Sequence, residues 1–300
     1  MASPTNDTEV DKDSDEINSG NQMKAWEQHA AVINMPRFDY AAPNSLLRHS
    51  RSAFLVTCPI KREKSATKEV ISYLNQYFSS SIIASTPRDE NDSKRRKTLA
   101  HETNDNASSP LSLVKLTKNG LLLLLLPEAC TLDSINIVVD ILHRIETNSL
   151  SRPSWCHRIL PVQATCILKE EELRTTVCKQ VSLFLEKQKE ESVKFAIGYN
   201  RRGLEDERNN VKKEALGLLN RTKCFNVVAS AVKEAALNSC VDLKCPDVAI
   251  LIELLPIGGI PLDDLVCAVS VLPRSLVDVK PRLSIKPLLI EGNTKKSGKQ

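Results

Sequence analysis

Apolar and polar positions divide the chain into a long polar lead and two blocks of short periodic segments. Residues 1–50 are polar and acidic with sparse apolar periodicity, and they read as disordered. Within them, Met35-Pro36-Arg37-Phe38 and Leu46-Leu47 suggest a short docking segment whose target the sequence does not name. AFLVTC (53–58) is the first strand, ended by Pro59. From Glu63 to Phe78, Ala66, Val70, Leu74 and Phe78 recur at a four-residue step, one stripe of a helix. Residues 85–110 are rich in Asn, Asp and Ser and form a polar linker. LSLVKL (111–116) and the leucine run after Asn119-Gly120 are two strands, and the Asn-Gly pair signals a hairpin. Thr131 and Asp133 are caps for a helix running to about Ile145, with Ile137, Ile141 and Ile145 on one face. This first block reads βαββα.

SLSRPSW (149–155) marks a boundary. RILPVQATCIL (158–168) follows as one strand with a proline near its start. Glu170, Glu171 and Glu172 favour a helix N-terminus through the dipole, and Leu173, Val177, Val181 and Leu185 continue that helix as a stripe. VKFAIGYN (193–200) alternates and is a strand, followed by helices over 209–219 and 225–237. DVAILIELLP (247–256) is almost wholly apolar, as expected for a central strand covered on both faces. Gly258-Gly259 turns the chain into a last strand, DLVCAVSVLP (264–273). The pattern predicts an α/β (α+β) protein. Its divisions are a disordered region at 1–50, a first domain at 51–150 that carries the linker, a second at 151–275, and a basic tail at 276–300.

Charge sharpens this picture. The net charge is only +4, but it is unevenly placed. Residues 1–20 hold one lysine against six carboxylates, whereas 193–223 hold eight Lys or Arg against four, and 274–300 seven against two. A basic second half suggests a polyanion partner, or else helix faces solvated by Lys and Arg. The nine cysteines form no CxxC pair and suit free thiols in a reducing compartment. The N-terminus has no apolar run of a secretory signal, and the six-leucine run at 121–126 falls far short of the roughly 20 residues that cross a bilayer, so no membrane partner is expected.

Familiar catalytic patterns are missing. The sequence has no G-x-G-x-x-G, no G-x-x-x-x-G-K-[ST] and no G-x-S-x-G. Cys156-His157 is the only adjacent Cys/His pair, and neighbouring side chains on an extended segment point to opposite faces. No catalytic residue, metal site or cofactor is expected; Asp263-Asp264 reads as a solvated turn. The chemistry that is present is cationic. FAIGYNRRG (195–203) ends a strand on Arg201-Arg202, with Lys194 before it and Arg208, Lys212 and Lys213 opening the next helix. Guanidinium forks and nearby ammonium groups grip phosphate oxygens, and orphan N–H groups of a helix start favour anions. The competing reading pairs these cations with Glu205, Asp206 and Glu207. Lys94-Arg95-Arg96-Lys97 in the linker is a nuclear address, a loose RNA contact or a solubilising run.

The order of these segments resembles the eukaryotic THUMP domain-containing protein 1 family, the tRNA-binding adaptors for cytidine acetylation. Four stretches carry the likeness: FLVTCPIKREKSATKEVISYLNQY (54–77), RILPVQATC (158–166), VKFAIGYNRRG (193–203) and VDLKCPDVAILIEL (241–254). It covers roughly residues 52–275. Cys245, where the family has an asparagine before proline, the segment 219–226 and the linker 85–110 depart from the pattern. The resemblance implies a ferredoxin-like N-terminal domain followed by a THUMP domain that opens at Arg158. It also implies tRNA held by its acceptor end, and a protein that performs no reaction itself; the expected location is the nucleus or nucleolus, with the cytoplasm as the alternative. A partner RNA cytidine acetyltransferase would form N4-acetylcytidine on the presented tRNA. In other THUMP proteins a methyltransferase or thiolation domain follows, and none is expected here. Lys194, Arg201, Arg202, Lys212 and Lys213 are the expected RNA contacts, with Arg158, and with Arg62 and Lys64 from the first domain. The alternatives are a THUMP-type protein serving another RNA-modifying enzyme, or a cysteine-dependent RNA-modifying enzyme.

Overall fold

The computed structural model describes residues 38–83, 110–188, 192–204, 219–261 and 264–288. They form a mixed α/β structure built on two sheets. β1 (Ala53–Thr57), α2 (Glu63–Ile83), β2 (Ser112–Val114), β3 (Leu121–Leu125), α3 (Ser134–Glu146) and β4 (Arg158–Val162) make the first unit, preceded by α1 (Ala42–Arg48). The sheet order is β2-β3-β1-β4 with antiparallel neighbours throughout, the split βαββαβ arrangement of ferredoxin-like folds. The helices follow their predicted stripes. Ala66, Val70 and Leu74 of α2 are fully buried, as is Ile141 of α3, with Ile137 and Ile145 nearly so. Asp133 caps α3 by accepting the Ile135 N–H at 2.9 Å. Each such isoleucine contributes about 1.5–3 kcal/mol through burial.

The second unit contains β5 (Ala164–Ile167), α4 (Glu170–Gln188), β6 (Lys194–Asn200), α5 (Arg221–Ala235), β7 (Cys240–Val241), β8 (Val248–Leu254) and β9 (Val266–Pro273). Its order is β5-β9-β8-β6-β7. β6 runs parallel to β7 and β8, and β9 runs antiparallel to β8 and β5. β8 is buried at every position, as its almost wholly apolar run requires of a central strand, and Glu253 is its one polar residue. Leu173, Val177 and Val181 of α4 pack with Val228, Ala231 and Val232 of α5 in a second core.

Four expectations need correction. The stretch 158–168 is not one strand opening a second domain. Arg158–Val162 closes the first sheet against β1, and Ala164–Ile167 joins the second sheet against β9. Gln163 is the joint. Its backbone N–H bonds Val269 O at 3.1 Å, and its side-chain oxygen accepts the Val271 N–H at 2.6 Å. Pro161 is tolerated because β4 is an edge strand of its sheet. The boundary read at 150 therefore precedes the last strand of the first unit.

Part of the lead is also ordered. Phe38 bridges to Leu113, Asp39 accepts the N–H groups of Ala41 and Ala42, and Leu46 of α1 is 2% exposed. Two leucines on a seven-residue helix are too few to register as a period. The span 276–300 is not a free tail throughout. β10 (Val277–Asp278) and β11 (Ser284–Ile285) form a small ladder, and Leu276, Val277, Ile285 and Leu288 enter the first core. The Asn-Gly hairpin forms, but Leu116 leaves the ladder to bridge Ile257. Gly120, at φ +75°, is required there, because a Cβ on it would lie 2.9 Å from Cys58 O. Residues 209–218 of the helix read at 209–219, most of the linker 85–110 with its basic tetrad, Asp263 and residues 1–37 lie outside the described residues. No described helix is long and apolar enough to cross a membrane.

Candidate nucleic-acid interface

β6 carries its apolar residues inward and ends on Tyr199-Asn200, both nearly buried. Two successive left-handed residues, Arg202 (φ +49°) and Gly203 (φ +78°), then turn the chain. The left-handed region costs a non-glycine residue about 1–2 kcal/mol. Arg202 offsets that through Glu253 on the neighbouring β8. Its Nε donates to Glu253 Oε2 at 2.6 Å, and Asn200 Nδ2 donates to Glu253 Oε1 at 2.7 Å. Glu253 is 1% exposed, so the ion pair is needed to keep that carboxylate from being stranded. The carboxylate bonded to Arg202 among the described residues is thus distant in sequence, and Arg202 is in large part a structural group; Glu205, Asp206 and Glu207 lie outside the described residues.

Arg201 is placed differently. Its guanidinium lies 5.8 Å from the Tyr199 ring centroid, over the ring. Tyr199 in turn packs on Phe225 of α5, with centroids 6.4 Å apart and planes at 57°. Arg221, the first residue of α5, lies over Phe225 at 5.3 Å. Two guanidinium groups therefore flank a pair of aromatic rings, and cation–π contact orients each. Asn220 caps α5 by accepting the Lys223 N–H at 2.9 Å, which places the exposed Arg221 and Lys223 in its first turn. Burial, the larger cause, and the neighbouring Cys224 push the Tyr199 phenol up to about 12 against the lowering effect of Arg201, so it remains neutral at physiological pH.

The first unit extends this edge. A Cβ on Gly203 would lie 3.3 Å from Lys118 Cε, so the exposed Lys118 of the β2–β3 turn lies along the β6 tip. The turn is tied to α2 by the Gly120 N–H, which donates to Glu63 Oε1 at 2.8 Å. That bond is the chief reason the Glu63 carboxyl is held below its ordinary value. Beside Glu63, Arg62 lies 4.3 Å from the Trp155 ring centroid, and Lys64 is exposed. Glu69 fixes the Trp155 backbone by accepting the N–H groups of Ser154, Trp155 and Cys156. Contacts thus connect the α2 start, the β2–β3 turn, the β6 tip and the α5 start, the segments that carry Arg62 and Lys64, Lys118, Arg201 and Arg202, and Arg221 and Lys223.

Not all expected residues gather there. Lys194 begins β6 and Arg201 follows its end, which separates them by about 20 Å at strand rise. Lys194 instead lies near Asp247 and Asp242 at the opposite end of the sheet. A strand has two ends, and Lys194 stands at the one away from Arg201. Arg158 starts β4, and its Nε donates to Ile285 O at 3.2 Å, which draws the side chain into a separate cavity. Lys212 and Lys213 lie outside the described residues. Lys118, Arg221 and Lys223 were missed. The signals were available: a lysine in the Asn-Gly turn, and an Asn cap with basic residues one and three positions on.

Cys58, Cys156 and Cys224 are buried and poorly placed for nucleophilic chemistry, whereas Cys240 and Cys245 are exposed. All nine are free. Burial pushes Cys58 up to about 11 and Cys224 up to about 12, in each case as the larger cause, and also raises Cys156. Cys156 is fully buried and donates to Ala66 O, whereas His157 lines the cavity, so the adjacent pair diverges.

No protein-family model matches this sequence, and no curated protein matches it. Solved structures with a similar arrangement include PH1313 from Pyrococcus horikoshii Ot3, at TM-score 0.40 and 12% identity over 74% of this chain and 55% of that one. A 4-thiouridine synthetase–RNA complex with bound ATP matches at TM-score 0.37 and 11% identity, over 74% of this chain and 42% of that one. TrmN from Thermus thermophilus matches at 0.33 and 14%, over 79% and 47%. The chain spans about half the length of these proteins.

Proposed function

We propose that this chain binds a folded RNA, specifically tRNA, along the edge from Arg62 to Lys223, and presents it to an RNA cytidine acetyltransferase without itself performing a reaction. The observation that carries the reading is the pair Arg201 and Arg221, held on the faces of Tyr199 and Phe225, with Lys118 alongside. Guanidinium groups so oriented meet phosphate oxygens in bidentate fashion with little further loss of side-chain freedom. The resemblance of four stretches to the THUMP domain-containing protein 1 family supports tRNA as the substrate and the acetyltransferase as the partner. The basic tetrad Lys94–Lys97 serves as a nuclear address in this reading.

The test is genetic and chemical. Deletion of the gene abolishes N4-acetylcytidine in tRNA, and wild type restores it while Arg201→Glu with Arg221→Glu does not. Unchanged acetylation in the deleted strain refutes the adaptor role. Restored acetylation with the double variant refutes the interface.

A further inference from the structure

A cavity of about 540 Å3 opens beneath the start of β4. It shares no residue with the Arg201–Arg221 arrangement. Its floor is apolar: Leu142 and Ile145 from the last turns of α3, and Leu288 beyond β11. Three cations reach it from separate segments. Arg152 comes from the α3–β4 connection, Arg158 opens β4, and Lys286 follows β11. The bond from Arg158 Nε to Ile285 O fixes that guanidinium, and the Lys286 N–H on Leu276 O fixes the segment carrying the lysine. None of the three pairs with a carboxylate among the described residues. Glu146 and Asp278 also line the wall, so the fixed charges still sum in favour of an anion.

We propose that this cavity binds a nucleotide through its phosphate monoester. A monoester carries close to two charges near neutral pH and needs converging cations, which Arg152, Arg158 and Lys286 supply. A concave site admits a terminal group more readily than a backbone passing through. Inorganic phosphate alone would leave most of the volume empty, whereas 540 Å3 lies in the range of small-molecule sites. The apolar floor suits the flat face of a base. Glu146 and Asp278 accept hydrogen bonds from ribose hydroxyls or exocyclic amines. The same chemistry is offered by a free mononucleotide and by the 5′-terminal nucleotide of an RNA.

Calorimetric titration of the full chain with adenosine 5′-monophosphate, adenosine and inorganic phosphate tests the site. The monophosphate binds at least about tenfold more tightly than either fragment. Arg152→Glu with Lys286→Glu removes that advantage, and Lys286→Met, which keeps the length of the side chain, weakens it; thermal unfolding confirms that each variant is folded. A second arm compares one RNA with a 5′-phosphate or a 5′-hydroxyl. Preference for the phosphorylated end that disappears in the double variant assigns the site to RNA termini. Equal binding of the two RNAs, with monophosphate binding retained, assigns it to free nucleotides. The proposal is overturned if the monophosphate binds no better than adenosine and the two RNA ends bind alike, or if the folded double variant leaves the monophosphate affinity unchanged. Because the mononucleotide arm does not involve the β6 tip, its result is separable from the fate of the tRNA interface.

Discussion

Replacing Arg201 and Arg221 by alanine removes two guanidinium groups while leaving the Tyr199–Phe225 pair that supports them. If each neutralises one phosphate, each contributes about 0.9 to the slope of log affinity against log salt on a duplex, or about 0.7 on a single strand. The double variant should therefore have a slope shallower by about 1.4–1.8. Over a fourfold rise in salt the wild type then loses roughly tenfold more affinity than the variant. Filter binding of a tRNA across a salt series measures both slopes. Lys194→Ala is the internal control: it sits about 20 Å away at the other end of β6 and should leave the slope unchanged. An unaltered slope in the double variant, or an equal change from Lys194→Ala, would show that neither guanidinium meets a phosphate.

Three further outcomes follow from the same contacts. Glu253→Ala strands the Asn200 amide and the Arg202 guanidinium, and chemical denaturation should show a loss of about 2–4 kcal/mol, kept toward the lower end because Arg202 is partly solvated; Glu253→Gln, which keeps an acceptor, should lose less. Gly120→Ala must place a Cβ 2.9 Å from Cys58 O at a φ of +75°, and thermal unfolding should register a loss of about 1–3 kcal/mol. The Glu63 carboxyl is depressed in the folded state below its ordinary 4.5, so its stabilising effect is fully present above that pH and is lost as pH falls through the lower folded value. Glu63→Gln should accordingly be less stable than wild type near neutrality, and the two denaturation midpoints should converge in acid; a constant gap down the acid limb would refute the role of the Gly120 N–H.

Stripes of four-residue period made the helices legible. Ala66, Val70 and Leu74, like Leu173, Val177 and Val181, occupy the core faces their spacing implied. β8 was legible because a strand buried on both faces reads as a nearly continuous apolar run, with Glu253 its one polar residue. Local pattern does not report partners, so the split at Gln163 was hidden: RILPVQATCIL has the same alternation whether it lies in one sheet or two. The site divides similarly. Arg201 at a strand tip could be read directly. The bond between Arg202 and Glu253 joins residues 51 positions apart, and no spacing rule links them. Arg221 becomes significant only once α5 is seen to start beside the end of β6.

Gln163 has a mechanical consequence. A single residue passes the chain from one sheet to the other, and both its backbone and its side chain are fastened to β9. Lys187 on α4 also reaches Asp133 ahead of α3 at 2.6 Å, and the Arg51 N–H reaches Thr165 Oγ1 at 2.9 Å. With so many ties straddling the seam, the distance between the α2 start and the α5 start is set before any ligand arrives. On the proposed reading, such a body would work as a gauge: it would accept polyanions whose charge spacing already matches its own and would not fold around those that differ.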